Sequence, residues 1–210
     1  MKRLLTFFFV SFLAISCYGQ SFEGKVVYKN TYNSKLPNVT DEQITLMMGS
    51  NLEYFVKGGS YKSVGNGSLF QWQIYTNKTN RLYTKMSNSD APSIQDASEV
   101  ADEVLKVELK KDVAEILGYK CDEVIFTLKE GTERYLFSSK LSLDPDAFVN
   151  HKFGNWHRFL SISKSLPLRS VIDNGRYRLE SVATEVKRME LPDNLFELPP
   201  GVQTMKNPNE

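Results

Sequence analysis

The chain has 210 residues, 26 Lys and Arg against 25 Asp and Glu, 12% aromatic residues and two cysteines, for a formal charge of +1. Basic residues scattered along a near-neutral chain exclude the concentrated basic face that a phosphate backbone requires, so nucleic acid is not expected as a partner. The length suits one domain with a sizeable core, and after the N-terminal stretch no apolar run approaches the roughly 20 residues of a spanning helix.

The opening segment reads as an export signal. Lys2 and Arg3 form a charged start, and Leu4 to Ile15 form an apolar run containing Phe7, Phe8, Phe9 and Phe12. A run of that length is a secretory signal peptide rather than a spanning helix. Cys17 at −3 and Gly19 at −1 suit ordinary cleavage, giving residues 1–19 as signal peptide and Gln20 as the first mature residue. Ala14-Ile15-Ser16-Cys17 also suits lipid attachment at Cys17, which would anchor the chain as a lipoprotein. Either cleavage leaves Cys121 as the one free thiol, so core burial, not a disulfide, has to stabilise the chain.

Along the mature chain the dominant period is two, the mark of a sheet protein. Phe22 to Tyr32 alternates β-formers with Lys and Glu. Thr40, with Gln43 three residues on, forms a capping box before Ile44, Met47 and Met48, and Gly49 stops that helix. Leu52, Tyr54 and Val56 alternate with Glu53 and Lys57; Gly58-Gly59 turns the chain into Tyr61 to Val64, and Asn66-Gly67 turns it again. Phe70, Trp72 and Ile74 share one face of a strand, and Asn77 to Asn80 leads into Arg81 to Met86. The polar stretch 87–98, with Pro92, predicts a mobile loop. Ala97, Val100, Ala101 and Val104 predict a helix over 96–104, after which Leu105, Val107 and Leu109 alternate like a strand.

In the second half, Ile116 to Tyr119, Asp122 to Leu128 and Glu133 to Ser138 read as strands, with Glu130-Gly131 as a turn. Asp144-Pro145 fits a helix N-cap with Pro at N1, opening a segment with Phe148, Phe153, Trp156, Phe159 and Leu160 that Gly154 breaks in two. Asp173-Asn174-Gly175 between Leu168 to Ile172 and Arg176 to Val186 is a hairpin signal. Tyr177 and Leu179 lie on one parity and Val182 and Val186 on the other, which predicts a bulge near Glu180. Residues 20–202 form the expected single domain and 203–210 a disordered tail.

The chain has no G-x-S-x-G elbow, H-E-x-x-H helix, P-loop, G-x-G-x-x-G or Cys-x-x-Cys. Ser161-Ile162-Ser163-Lys164 matches S-x-x-K without its companion motifs. His151 and His157, six apart, fall off a common helix face, so a zinc pair is not expected. Cys121 and Lys120 are strand neighbours pointing to opposite faces, so Cys121 reads as a buried structural residue. No enzymatic activity, cofactor or metal is expected.

A set of hairpins with a helix after the first strand and a late aromatic cover segment resembles the LolA/LolB-like lipoprotein-carrier superfamily. Gly118-Tyr119-Lys120-Cys121 is similar to the GYKC signature of an uncharacterised secreted bacterial family within it, and Leu195-Phe196-Glu197-Leu198-Pro199-Pro200-Gly201 to that family's closing segment. Val202 departs from the pattern, where an aromatic is usual, and the Met-rich middle of relatives is thin. The resemblance implies a mainly β chain with a few helices, built as an incomplete antiparallel barrel whose concave face is plugged by helices. It implies a periplasmic or envelope-associated protein that binds a lipid, an acyl chain or another apolar ligand. Tyr54, Phe70, Trp72, Ile74, Phe126 and Leu136 are the candidate lining, with Phe148, Trp156 and Phe159 as lid. Two alternatives stand beside it: an envelope protein–protein interaction module whose barrel is filled by its own side chains, and an extracytoplasmic hydrolase.

Overall fold

A computed structural model describes residues 21–100 and 102–206. The expected signal peptide, with Cys17 and the Gln20 start, lies outside the described residues, as do 207–210. The chain is mainly β. Among the described residues twelve strands form one sheet: β1 (Gly24–Ser34), β2 (Asn51–Lys57), β3 (Ser60–Gly65), β4 (Phe70–Thr76), β5 (Arg81–Met86), β6 (Ser93–Asp96), β7 (Val104–Ile116), β8 (Tyr119–Leu128), β9 (Gly131–Ser142), β10 (Ser165–Asn174), β11 (Tyr177–Arg188) and β12 (Met205–Lys206). Their order across the sheet is β12-β6-β5-β4-β3-β2-β1-β11-β10-β9-β8-β7. Two antiparallel meanders therefore meet at the β1–β11 ladder. The first runs outward from β1 to β6. The second starts at the far edge with β7 and works back to β11.

The sheet has to curl. From Asp96 to Val104 the chain passes from next to one edge to the opposite edge, ten strand positions away. Ten spacings of about 4.8 Å make about 48 Å across a flat sheet. Eight residue steps reach about 28 Å at full stretch. Only a sheet bent toward its own far edge lets that connection close. Its two edges remain unpaired with each other among the described residues.

Helix α1 (Asp41–Met48) forms as its capping box predicts, with Thr40 accepting from the Gln43 backbone and Gln43 reaching back to the Thr40 N–H. Asp173-Asn174-Gly175 turns β10 into β11, with the Asn174 side chain accepting from the N–H groups of Arg176 and Tyr177.

Four expectations are corrected. The stretch 87–98 is not all loop, because residues 93–96 form β6: Asp96 pairs with Arg81, and Ser93 Oγ donates to the Thr84 carbonyl. No helix forms over the described part of 96–104; the Ala97 carbonyl instead accepts from Lys152 and Phe153, which ties this crossing to the cover segment. The β11 irregularity lies across from Val27/Tyr28, at Thr184 rather than Glu180. In the tail, Met205 and Lys206 pair in parallel with Ser93 and Ile94, because β6 presents a free backbone edge there.

Candidate functional site

The cover segment follows β9. Asp144 accepts from the Asp146 N–H at 3.0 Å and Pro145 opens a 3-10 turn through Phe148, as its N-cap signal predicts. A second 3-10 turn, Phe153–Asn155, leads into helix α2 (Trp156–Ser163). Gly154 and Asn155 both adopt left-handed backbone, φ 60 and 54, so the predicted break falls at Gly154, where that conformation costs no Cβ clash. The kink turns Asn155 inward. Its amide donates to the Glu133 carboxylate on β9 at 3.4 Å.

Across the sheet, this segment lays down a continuous layer of rings. Phe148 stacks on Tyr75 of β4 at 6.0 Å between centroids, and His151 lies 4.2 Å from the same ring. Trp156 meets Tyr54 of β2 at 6.4 Å and Tyr61 of β3 at 6.1 Å. Phe159, 5.8 Å from Trp156, reaches Tyr135 and Phe137 of β9 at 4.6 and 6.0 Å. One short segment thus touches strands from both meanders. We call the sheet face it covers the inner face.

Polar groups are set into this layer. Tyr61 Oη and His151 Nε2 hydrogen-bond at 2.8 Å, and burial pushes the imidazole down to about 4, leaving it neutral at neutral pH. Tyr54 Oη, His151 Nδ1 and Trp156 Nε1 are buried with no hydrogen-bond partner among the described residues. Their rings all neighbour Tyr61. Each unpaired buried group costs about 1–3 kcal/mol, so this spot favours any polar atom that could lie among the rings. Glu133 is a second buried ionisable group: burial raises its carboxyl to about 7, against the opposing hydrogen bond from Asn155.

Of the residues expected to line a cavity, Tyr54, Phe148, Trp156 and Phe159 come together here, and Phe126 joins them through Tyr135 at 6.1 Å. Phe70 also reaches the inner face. A register shift between Phe70 and Trp72 sets it opposite Met86, away from the cover segment.

Trp72 and Ile74 do not line this face. Their neighbour Tyr75 faces inward, so they point to the other side, where Lys57 bonds the Leu191 carbonyl and Asp193 and the Asp193–Phe196 turn packs. Leu136 alternates away from Tyr135 and Phe137 and borders a cavity of about 140 Å³ with Glu123, Arg134 and Arg169. Both sides of β4 carry apolar residues, so alternation alone could not tell inner from outer. The sequence offers His151 only as half of a zinc pair and does not single out Asn155, because each gains its role from the chain folding back. Glu133 was findable, because it shares the buried parity of Tyr135 and Phe137.

A groove of about 620 Å³ lies at the end of β4 and β5 remote from Phe148. Leu69, Met86, Ala91 and Met205 supply its apolar wall, with Thr84, Ser89 and Ser93 among its polar groups. Met86 and Thr84 pair with Phe70 and Gln73, so the groove opens on the inner face. Its volume falls within the range of about 300–1,000 Å³ typical of small-ligand sites.

Other reactive groups are placed as follows. Cys121 is fully buried, its thiol donates to the Tyr119 carbonyl at 3.2 Å, and burial raises its pKa. Ser161 Oγ donates to the Arg158 carbonyl, a local bond on the exposed side of α2. Among the described residues no group of three or more His, Cys, Asp or Glu is placed to hold a metal ion, and no helix is long and apolar enough to cross a membrane.

No family model matches the chain, and no curated protein matches it. Among solved structures it is similar to PNGF-II in a C2 space group, with a TM-score of 0.47 and 14% sequence identity, over 87% of this chain. The match covers 30% of that longer chain.

Proposed function

We propose that this chain is an exported, envelope-associated binding protein that holds an apolar ligand such as an acyl chain or lipid, on an incomplete antiparallel barrel of the LolA-like kind. It performs no reaction of its own. One observation carries the reading: the aromatic layer under the cover segment and the open apolar groove occupy the same face of one curled sheet. An apolar chain seated between Leu69, Met86 and Met205 can extend along that face if residues 145–163 give way. The unpaired Tyr54 Oη, His151 Nδ1 and Trp156 Nε1 would then bond the ligand's polar group.

Trp156 is the natural reporter, being half-buried at the centre of the layer. Titration with fatty acids or phospholipid should change its fluorescence. Trp156→Ala should weaken binding by about 1–3 kcal/mol, as loss of a buried aromatic anchor does. Met86→Lys, which sets a charge in the groove wall far from Trp156, should abolish the same response. Native mass spectrometry of protein taken from its own envelope would identify the ligand. Unchanged fluorescence together with no co-purifying lipid would refute the reading.

A second reading, an interaction module whose barrel is filled by its own side chains, is favoured by the packing of Tyr75, Phe148 and Phe159, each at most 1% exposed. It requires a protein partner to be recovered and lipid to be absent.

A further inference from the structure

Strand β7 is a long edge that bears exposed apolar side chains between its two register shifts. Thirteen residues long, it pairs only with β8 among the described residues, whereas β12 at the other edge has two residues. Leu105, Val107 and Leu109 are 60%, 37% and 48% exposed along it. A long edge strand carrying exposed apolar side chains is a template for another strand, and soluble proteins ordinarily shield one.

What the edge fits can be read from its own charges. Its ladder with β8 is regular from Lys106 to Lys110, bounded by register shifts on both sides. Two copies of one strand related by a two-fold axis pair antiparallel. Backbone groups facing outward recur every second residue, so the axis must pass through a residue. An axis at Lys106 or Glu108 sets like charges opposite one another, Lys106 with Lys106 or Glu108 with Glu108. An axis at Leu109 puts Val107 against Lys111 and runs into Asp112, whose left-handed backbone (φ 50) interrupts the strand. An axis at Val107 sets Lys106 opposite Glu108 twice and Val107 opposite Val107, all within the regular stretch of the ladder. That register satisfies both the charges and the apolar stripe. Lys106 and Glu108 already pair within one chain at 3.0 Å, so each is held near the place where its opposite number would arrive.

We propose that β7 is a self-association edge: two copies of this chain join their sheets by antiparallel β7–β7 pairing centred on Val107. The dimer is isologous, each strand serving as both template and addition. This inference does not rest on the apolar-ligand reading, since β7 lies at the edge opposite the groove.

Charge exchange tests it. Sedimentation equilibrium should give twice the monomer mass for the natural chain. Lys106→Glu alone places Glu against Glu across the axis, and Glu108→Lys alone places Lys against Lys. Each should raise the dimer dissociation constant at least about tenfold, because two opposite-charge pairs become two like-charge pairs. The double variant K106E/E108K restores both pairs and should dimerise like the natural chain. Equimolar K106E and E108K, each weak alone, should form the mixed dimer. Both side chains are exposed, at 65% and 40%, so all variants should keep the natural circular dichroism spectrum. A natural chain that stays monomeric at its highest soluble concentration overturns the proposal. So does a dimer whose affinity ignores these exchanges.

Discussion

Phe159→Ala should lower the stability of the chain by about 3–5 kcal/mol, the range for emptying a well-packed aromatic site. Phe159 has no exposed surface, and its ring is shared between Trp156 of the cover segment and Tyr135 and Phe137 of β9. Removing it leaves a void that neighbours cannot fill without breaking the ring layer. Urea denaturation followed by far-ultraviolet circular dichroism measures the loss. Phe159→Leu, which keeps much of the volume, should fall between. Leu46→Ala on the exposed side of α1, where the side chain is 68% exposed, should change stability by less than about 0.5 kcal/mol. If Phe159→Ala cost no more than Leu46→Ala, the segment would not be packed on the sheet as described.

The second large effect depends on pH. Glu133 titrates near 7 in the folded chain against 4.5 when exposed, so between those values the folded state holds a proton that the unfolded state has lost. Stability therefore falls as pH rises from 4.5 to 7 and is constant above. His151 runs the other way. Its folded value near 4 lies below 6.5, so stability falls as pH drops from 6.5 to 4. Each contributes on the order of 3 kcal/mol over its window, and between 4.5 and 6.5 the two slopes offset each other. Glu133→Gln should remove one of them. The difference in unfolding free energy between E133Q and the natural chain should grow in the variant's favour by on the order of 3 kcal/mol from pH 4.5 to 7. His151→Phe should show its relative gain toward low pH, offset by a constant loss of the Tyr61 hydrogen bond. A difference for E133Q that stays flat with pH would mean that Glu133 titrates like an exposed carboxylate.

Features set by neighbouring residues were the readable ones. The Thr40 capping box, the Asp144-Pro145 helix start, the break at Gly154 and the Asp173-Asn174-Gly175 hairpin each rest on backbone chemistry within four residues. Four of the nine candidate lining residues meet in the ring layer, and Phe126 adjoins it. What the sequence hid was nonlocal. Nothing in Ser93 to Asp96 marks a strand until Arg81 and Thr84 stand beside it. The helical spacing of Ala97 and Val100 was overridden once the Ala97 carbonyl was claimed by Lys152 and Phe153. The inward side of β4 depends on which layer packs against it, and the register shift at Phe70 reverses the count along the strand. Curling follows from the strand order, which periodicity does not contain.

The two-meander arrangement also dictates how the chain can reach this shape. Within each half, every strand pairs with its neighbour in sequence, so hairpins zip locally and early. The seam between the halves is different: it joins Gly24 to Arg188 and Ser34 to Tyr177, partners separated by more than 140 residues. Loop closure over that span comes late and slowly. The same closure brings the cover segment across to β2, β3 and β4. Until the seam zips, the first half is a one-sided sheet with Tyr54, Tyr61 and Tyr75 bare, which is the stage at which the chain is most exposed to aggregation.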